Sequence, residues 1–138
     1  MQDKFSDFIK DLADLLSEDL YVDKNQACVI VYDDVIQVQL ELDQLSQNLI
    51  VFSSVCTVPP GKFRENVLLD ALKENDKFPC VATLSFFEPD SSLALHNFFD
   101  FLSLDANILV SYLSTFVDLC FLYRQAINSG QTSPIIRK

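Results

Sequence analysis

The segment IQVQLELD, Ile36 to Asp43, alternates without a break between apolar and polar side chains. Successive side chains of a strand point to opposite faces. Ile36, Val38, Leu40 and Leu42 therefore share one face, and Gln37, Gln39, Glu41 and Asp43 the other. Such a strand belongs in an antiparallel sheet with one buried and one wet face. The β-branched run ACVIVY precedes it, and Asp33-Asp34 between the two predicts a tight hairpin turn. After a turn at LSQN, LIVFSSVCTV reads as a third strand.

Helical spacing brackets this meander. Phe5, Phe8, Ile9, Leu12, Leu15 and Leu16 recur at i, i+3, i+4 and i+7, which predicts an amphipathic helix over Asp3 to Ser17. Asp7, Asp11, Asp14 and Glu18 line its other side. Pro59-Pro60-Gly61 stops the third strand. A second helix is expected from Lys62 to Asn75, with Phe63, Val67, Leu68, Ala71 and Leu72 as its apolar stripe. NDKFP breaks it. CVATLSFFE and SLALHNFFDF are two further strands joined by PDSS, whose residues favour a turn. Asp105 is placed to cap a last helix running to about Asn128. The order α-β-β-β-α-β-β-α implies a single α+β domain over residues 1–128, an antiparallel twisted sheet with helices packed against it. Residues 129–138, SGQTSPIIRK, are expected to form a flexible tail.

The core of that last helix, ILVSYLSTFVDLCFLY, is nearly apolar on every side. It spans 16 residues, short of the roughly 20 that cross a bilayer, and Asp118 sits inside it. No basic cluster flanks it to anchor headgroups. It reads as a helix buried in a soluble protein or between two chains, without membrane insertion.

The chain has 138 residues and a formal net charge of −10, from 20 acidic against 10 basic side chains. That balance disfavours direct nucleic-acid binding, which needs clustered Lys and Arg, and an anionic membrane surface. The N-terminal MQDKFSDFIKD lacks the charged and apolar regions of a secretory signal. Cys28, Cys56, Cys80 and Cys120 are scattered through apolar runs without a CxxC pair, as expected of reduced, buried thiols. The one histidine, His96, lies in an expected strand. The two glycines, Gly61 and Gly130, are too few for a phosphate loop. No metal-ligand spacing or catalytic motif emerges. The expectation is a non-enzymatic protein with no catalytic residue, metal or cofactor. Hydrophobic residues nevertheless make up 49% of the chain, with 12 Phe, and a surplus of apolar surface implies a protein partner.

The ordered pattern resembles the class I chaperones of bacterial type III secretion, the CesT/SycE-like family. Two parts carry the resemblance. VLLDALKEN, Val67 to Asn75, resembles the family's second-helix Leu-Leu…Leu-x-x-Asn pattern. LSFFEPDSSLALHNFFDFLSLDANILVSYLSTFVDLCFLYRQAI resembles its terminal hairpin, lead-in and closing helix with Phe116-Val117. The resemblance implies a cytoplasmic bacterial protein that binds the extended N-terminal region of a secreted effector and keeps it soluble and competent for secretion. It also implies a homodimer, or a heterodimer with a related class I chaperone. Cargo would meet Phe5, Phe8, Ile9, Leu12 and Leu16 of the first helix, by strand pairing at a sheet edge and pockets for apolar anchors. The dimer contact would involve Val67, Leu68, Ala71, Leu72, Val81 and Thr83. A rival reading is a regulatory module that sequesters transcription regulators or contacts the transcription machinery. A third, from the enzyme class, is a thiol-dependent protein using Cys28 or Cys80.

Overall fold

The structure, a computed structural model, describes residues 4–77 and 81–134. The expected elements all form, in the expected order: α1 (Lys4–Leu16), β1 (Ala27–Tyr32), β2 (Ile36–Asp43), β3 (Asn48–Thr57), α2 (Lys62–Asn75), β4 (Thr83–Phe87), β5 (Ser92–Asp100) and α3 (Ala106–Asn128). The five strands make one antiparallel sheet in the order β1-β2-β3-β5-β4. The fourth strand starts at Thr83, later than the CVATLSFFE run suggested; Cys80 lies outside the described residues.

With so few glycines, the turns are built otherwise. Six described non-glycine residues take positive φ: Ser17, Gln26, Asp33, Asp34, Gln47 and Ser91. Asp33 and Asp34 both do so, at 52° and 57°, the backbone of a hairpin turn whose twist matches its strands. Ser17 ends α1 in the left-handed conformation that glycine usually fills, and Glu18 N–H closes the cap on Ala13 C=O at 3.1 Å. Asp105 caps α3 through Asn107 N–H at 2.6 Å, as expected.

α1 and α3 pack together on one face of the sheet. Phe5, Ile9 and Leu12 meet Leu109, Leu113 and Phe116 over Val38, Leu40, Leu49, Val51 and Leu95, all buried. Each such side chain contributes roughly 1.5–3 kcal/mol of transfer free energy. β3 carries a bulge between Ser54 and Cys56, and the bulged Val55 lacks a partner across the ladder. Arg124 of α3 reaches its carbonyl at 3.1 Å, so the irregularity is satisfied from the helix layer.

α3 departs from the expectation of a helix apolar all round. Ser111, Ser114, Thr115, Asp118 and Gln125 form an exposed polar stripe opposite the buried side chains. Over its 23 residues the helix is long and apolar enough to cross a membrane by length and composition. Its packing on α1, β2 and β3 makes it a core helix of this fold. At its far end Gln131 N–H returns to Ala126 C=O at 2.8 Å, and Thr132 Oγ1 donates to the Asp70 carboxylate of α2.

Candidate functional site: an open sheet edge beside the first helix

The stripe of α1 is wider than the surface it packs on. Phe5, Ile9 and Leu12 are buried in the chain's own core. Phe8 and Leu16 are half-buried, and Leu15 is exposed. A groove of about 480 Å³ runs along this outer flank. Phe8, Leu15 and Leu104 give its apolar part, and Asp11, Asp14 and Asp105 its rim. On the other flank, residues 17–26 fold back along α1 and leave a cleft of about 490 Å³ beside Ile9, Ala13, Leu20 and Val22. Tyr21 projects from this loop almost fully exposed.

The loop delivers the chain into β1, the first edge of the sheet. Gln26 C=O accepts from Leu42 N–H at 3.0 Å, and the register then places Ile30 against Val38. By the alternation of an antiparallel ladder, Ala27, Val29 and Val31 turn their peptide groups outward. Asp23 covers the first of these: its carboxylate accepts from Ala27 N–H at 3.0 Å, and its N–H donates to Ala27 C=O at 2.9 Å. Val29 and Val31 have no such cover among the described residues, and their side chains are about half exposed.

The opposite edge, β4, is covered in part: α2 lies alongside it, and of its two residues that turn their peptide groups outward, Leu84 and Phe86, Leu84 is paired. The Asn75 carboxamide at the end of α2 donates to Leu84 C=O at 2.7 Å and accepts from Leu84 N–H at 2.8 Å. It does what one peptide of a neighbouring strand would do. Arg64 of α2 lies over the Phe86 ring at 5.0 Å. α2 buries only Val67 and Ala71 fully, because it packs on the narrow flank of β4. Leu68 is half-buried, while Leu69 and Leu72 stand 52% and 67% exposed. Val81, half-buried, and Thr83, exposed, lie nearby in sequence at the start of β4. Tyr112 Oη donates to Val81 C=O at 2.6 Å, which ties this segment to α3.

Acid–base and thiol groups are placed for packing. His96 Nδ1 meets Ser85 Oγ at 3.3 Å and its ring meets Phe98; partial burial holds its pKa below the ordinary value. Burial pushes the Cys28 and Cys56 thiols up, and Cys120 up to about 12, the reverse of an activated nucleophile. Among the described residues no group of His, Cys, Asp and Glu side chains is arranged to hold a metal ion.

The sequence model of the Tir chaperone protein (CesT) family matches residues 7–120. The chain belongs to this family. Solved structures agree on the fold. The type III secretion chaperone SycH of Yersinia pestis, solved with a stable fragment of YscM2, aligns with a TM-score of 0.69 at 18% identity, over 86% of this chain and 98% of that one. The HopA1–SchA chaperone–effector complex gives 0.70 at 16% identity, over 91% and 100%. The ExsC–ExsE complex gives 0.69 at 15% identity, over 90% and 96%. No curated protein matches by sequence.

Of the five α1 residues expected to meet cargo, Phe8 and Leu16 reach the surface, and Leu15 joins them. Of the six expected at a dimer contact, Val67 and Ala71 turn inward; Leu68, Leu72, Val81 and Thr83 remain accessible in the single chain, with Leu69. Sequence reasoning missed Leu15 and Leu69 as surface groups, and Val29, Val31 and Asn75 as groups that set the state of the sheet edges. The polar ends of Asp23 and Asn75 were visible, but nothing local marks either one as covering a strand.

Proposed function

We propose that the protein is a cytoplasmic bacterial chaperone that holds an extended segment of a type III secretion effector and keeps it soluble for export. The observation that carries the proposal is the open β1 edge at Val29 and Val31, entered from the 17–26 loop that forms one α1 cleft, together with the apolar groove on the outer flank of α1. An added strand pairs with the free peptide groups, and apolar side chains from another part of the same extended segment dock beside Phe8, Leu15 and Leu16. Main-chain pairing gives affinity with little sequence choice, and the pockets give selectivity. Family membership and the chaperone–effector and related complexes among the structural neighbours support the same reading. No catalytic step is part of it. Leu68, Leu69 and Leu72 on α2, with Val81 and Thr83, form the surface for a second chaperone chain, the same or a related one.

The test is affinity capture of effector from the native cytosol, by the wild-type protein and by Val29→Pro. Proline is tolerated where an edge N–H faces outward, yet it removes the donor that an added strand needs. The variant is expected to keep its melting temperature within a few degrees and to lose at least tenfold in effector affinity, about 1.4 kcal/mol. Capture of effector unchanged by Val29→Pro would sink the edge-pairing mechanism; capture of no secreted protein at all would sink the function.

A further inference from the structure

The helices cover one face of the sheet and leave the other to solvent. That open face is not simply wet. Gln37 and Gln39 of β2 lie among Val29 and Val31 of β1, Ile50 and Phe52 of β3, Phe87 of β4 and Phe98 of β5. Phe52 and Phe87 stack edge to face at 5.0 Å. Two shallow troughs, of about 300 and 250 Å³, share Gln39, Phe52 and Phe87 as their common wall. One extends to Asp90, the other to Ile50 and Glu41. A carboxylate thus stands at each end of a continuous aromatic floor.

The charge around this floor has one sign. No Lys or Arg occurs from Asn25 to Gly61 or from Val81 to Tyr123, the stretches that contain every strand, whereas nine acidic residues do. Asp90 is oriented by Ser54 Oγ at 2.7 Å, and neither Asp90 nor Glu41 has a cationic partner among the described residues. A second copy laid face to face would bring acid against acid. A neutral apolar partner would strip water from Glu41 and Asp90 without replacing it, at a cost.

We propose that this face docks an extended segment of the effector that carries apolar side chains together with Lys or Arg. The apolar groups cover Phe52 and Phe87 while the cations meet Glu41 and Asp90. The face is continuous with the open β1 edge through Val29 and Val31, so one bound chain can engage both. The inference deepens the effector reading and rests on it for the identity of the partner, though not for the chemistry.

The experiment uses fluorescein-labelled synthetic peptides of equal length, built from Leu and Lys, from Leu and Glu, or from Ser and Lys, each with neutral spacers. Anisotropy titrations at low salt are expected to give the Leu–Lys peptide at least a tenfold tighter Kd than either control. Phe52→Ser and Glu41→Lys should each weaken it about tenfold, Leu122→Ser at the exposed side of α3 should leave it unchanged, and raised salt should weaken it. Should Phe52→Ser not fold, as judged by circular dichroism, Glu41→Lys and Phe98→Ser on the same face carry the test. Equal binding of the Ser–Lys peptide would reduce the effect to bulk charge and overturn the proposal, as would equal binding of the Leu–Glu peptide or indifference to the face substitutions. Effector captured equally by wild type and Glu41→Lys overturns this proposal and leaves the effector function standing. Peptide binding that behaves as expected, with no effector captured, supports the docking face and removes the effector as its occupant.

Discussion

β1 and β4 are the two edges of one sheet, each with one residue's peptide groups taken by another residue, and they differ in that a helix lies along β4. At β4 the outward peptide groups of Leu84 are both taken by Asn75, and α2 lies alongside. At β1 Asp23 takes those of Ala27, and Val29 and Val31 stay open among the described residues. An uncovered, β-branched edge is a template for pairing with other chains, and proteins normally blunt it. The strands do not differ in their suitability for pairing; ACVIVY is at least as strand-like as TLSFF. They differ in what the rest of the chain places beside them. The covering of an edge is thus a tertiary property, and β1, entered from the loop that forms one α1 cleft, is the more open of the two.

That contrast can be broken by substitution. Leu84→Pro should be the most damaging change. It removes the N–H bonded to Asn75 and replaces a buried leucine, for a loss of about 3 kcal/mol or more in denaturant titration. The loss should dwarf that of Val29→Pro at the open edge; equal losses would mean β1 is covered in solution. Asn75→Ala comes next. It leaves both polar groups of Leu84 unpaired in a partly buried setting and should cost about 2 kcal/mol. It should also expose β4 as a second pairing edge, seen as concentration-dependent aggregation by light scattering.

Asp23→Ala sharpens the comparison from the other side. The carboxylate accepts from Ala27 and Asn25 N–H at a mostly exposed site, so the expected cost is about 1 kcal/mol. The opened edge should then bind effector no worse than wild type. The smallest effect is expected at the end of β1. The Tyr32 hydroxyl is buried without a hydrogen-bond partner among the described residues, and burial, helped by the negative charge of Glu18, raises its pKa. Tyr32→Phe should raise stability by roughly 0.5–1 kcal/mol, because an unpaired hydroxyl is lost and nothing else. A decrease in melting temperature would show that the hydroxyl is satisfied in solution.

Much of this molecule could be read along the chain. The alternation of Ile36 to Asp43 gives the inward set correctly, and the spacing in α1 selects Phe5, Ile9 and Leu12 for burial along with side chains that stay at the surface. α2 shows where such reading stops. Its apolar positions, Val67, Leu68, Leu69, Ala71 and Leu72, cover too broad an arc for a single contact. Only its placement against the narrow flank of β4 decides that Val67 and Ala71 go inside while Leu69 and Leu72 stay out. α3 shows the same from the opposite direction. Ser111, Ser114, Thr115 and Asp118 mark a stripe in the sequence, but that it faces water depends on α1 and the sheet occupying the other side.

By itself the sequence determined the elements, their order and the α+β class, because side-chain period and capping residues act over a few positions. It also determined the one-signed charge of the strands, which is a matter of composition. The tertiary structure alone decided which edge is open, which apolar groups remain at the surface, and that Phe52 and Phe87 meet between Glu41 and Asp90. Those facts depend on residues tens of positions apart, such as Phe52 and Phe87, being brought within a few ångströms. No local pattern encodes such distances, since they follow from the packing of the whole chain.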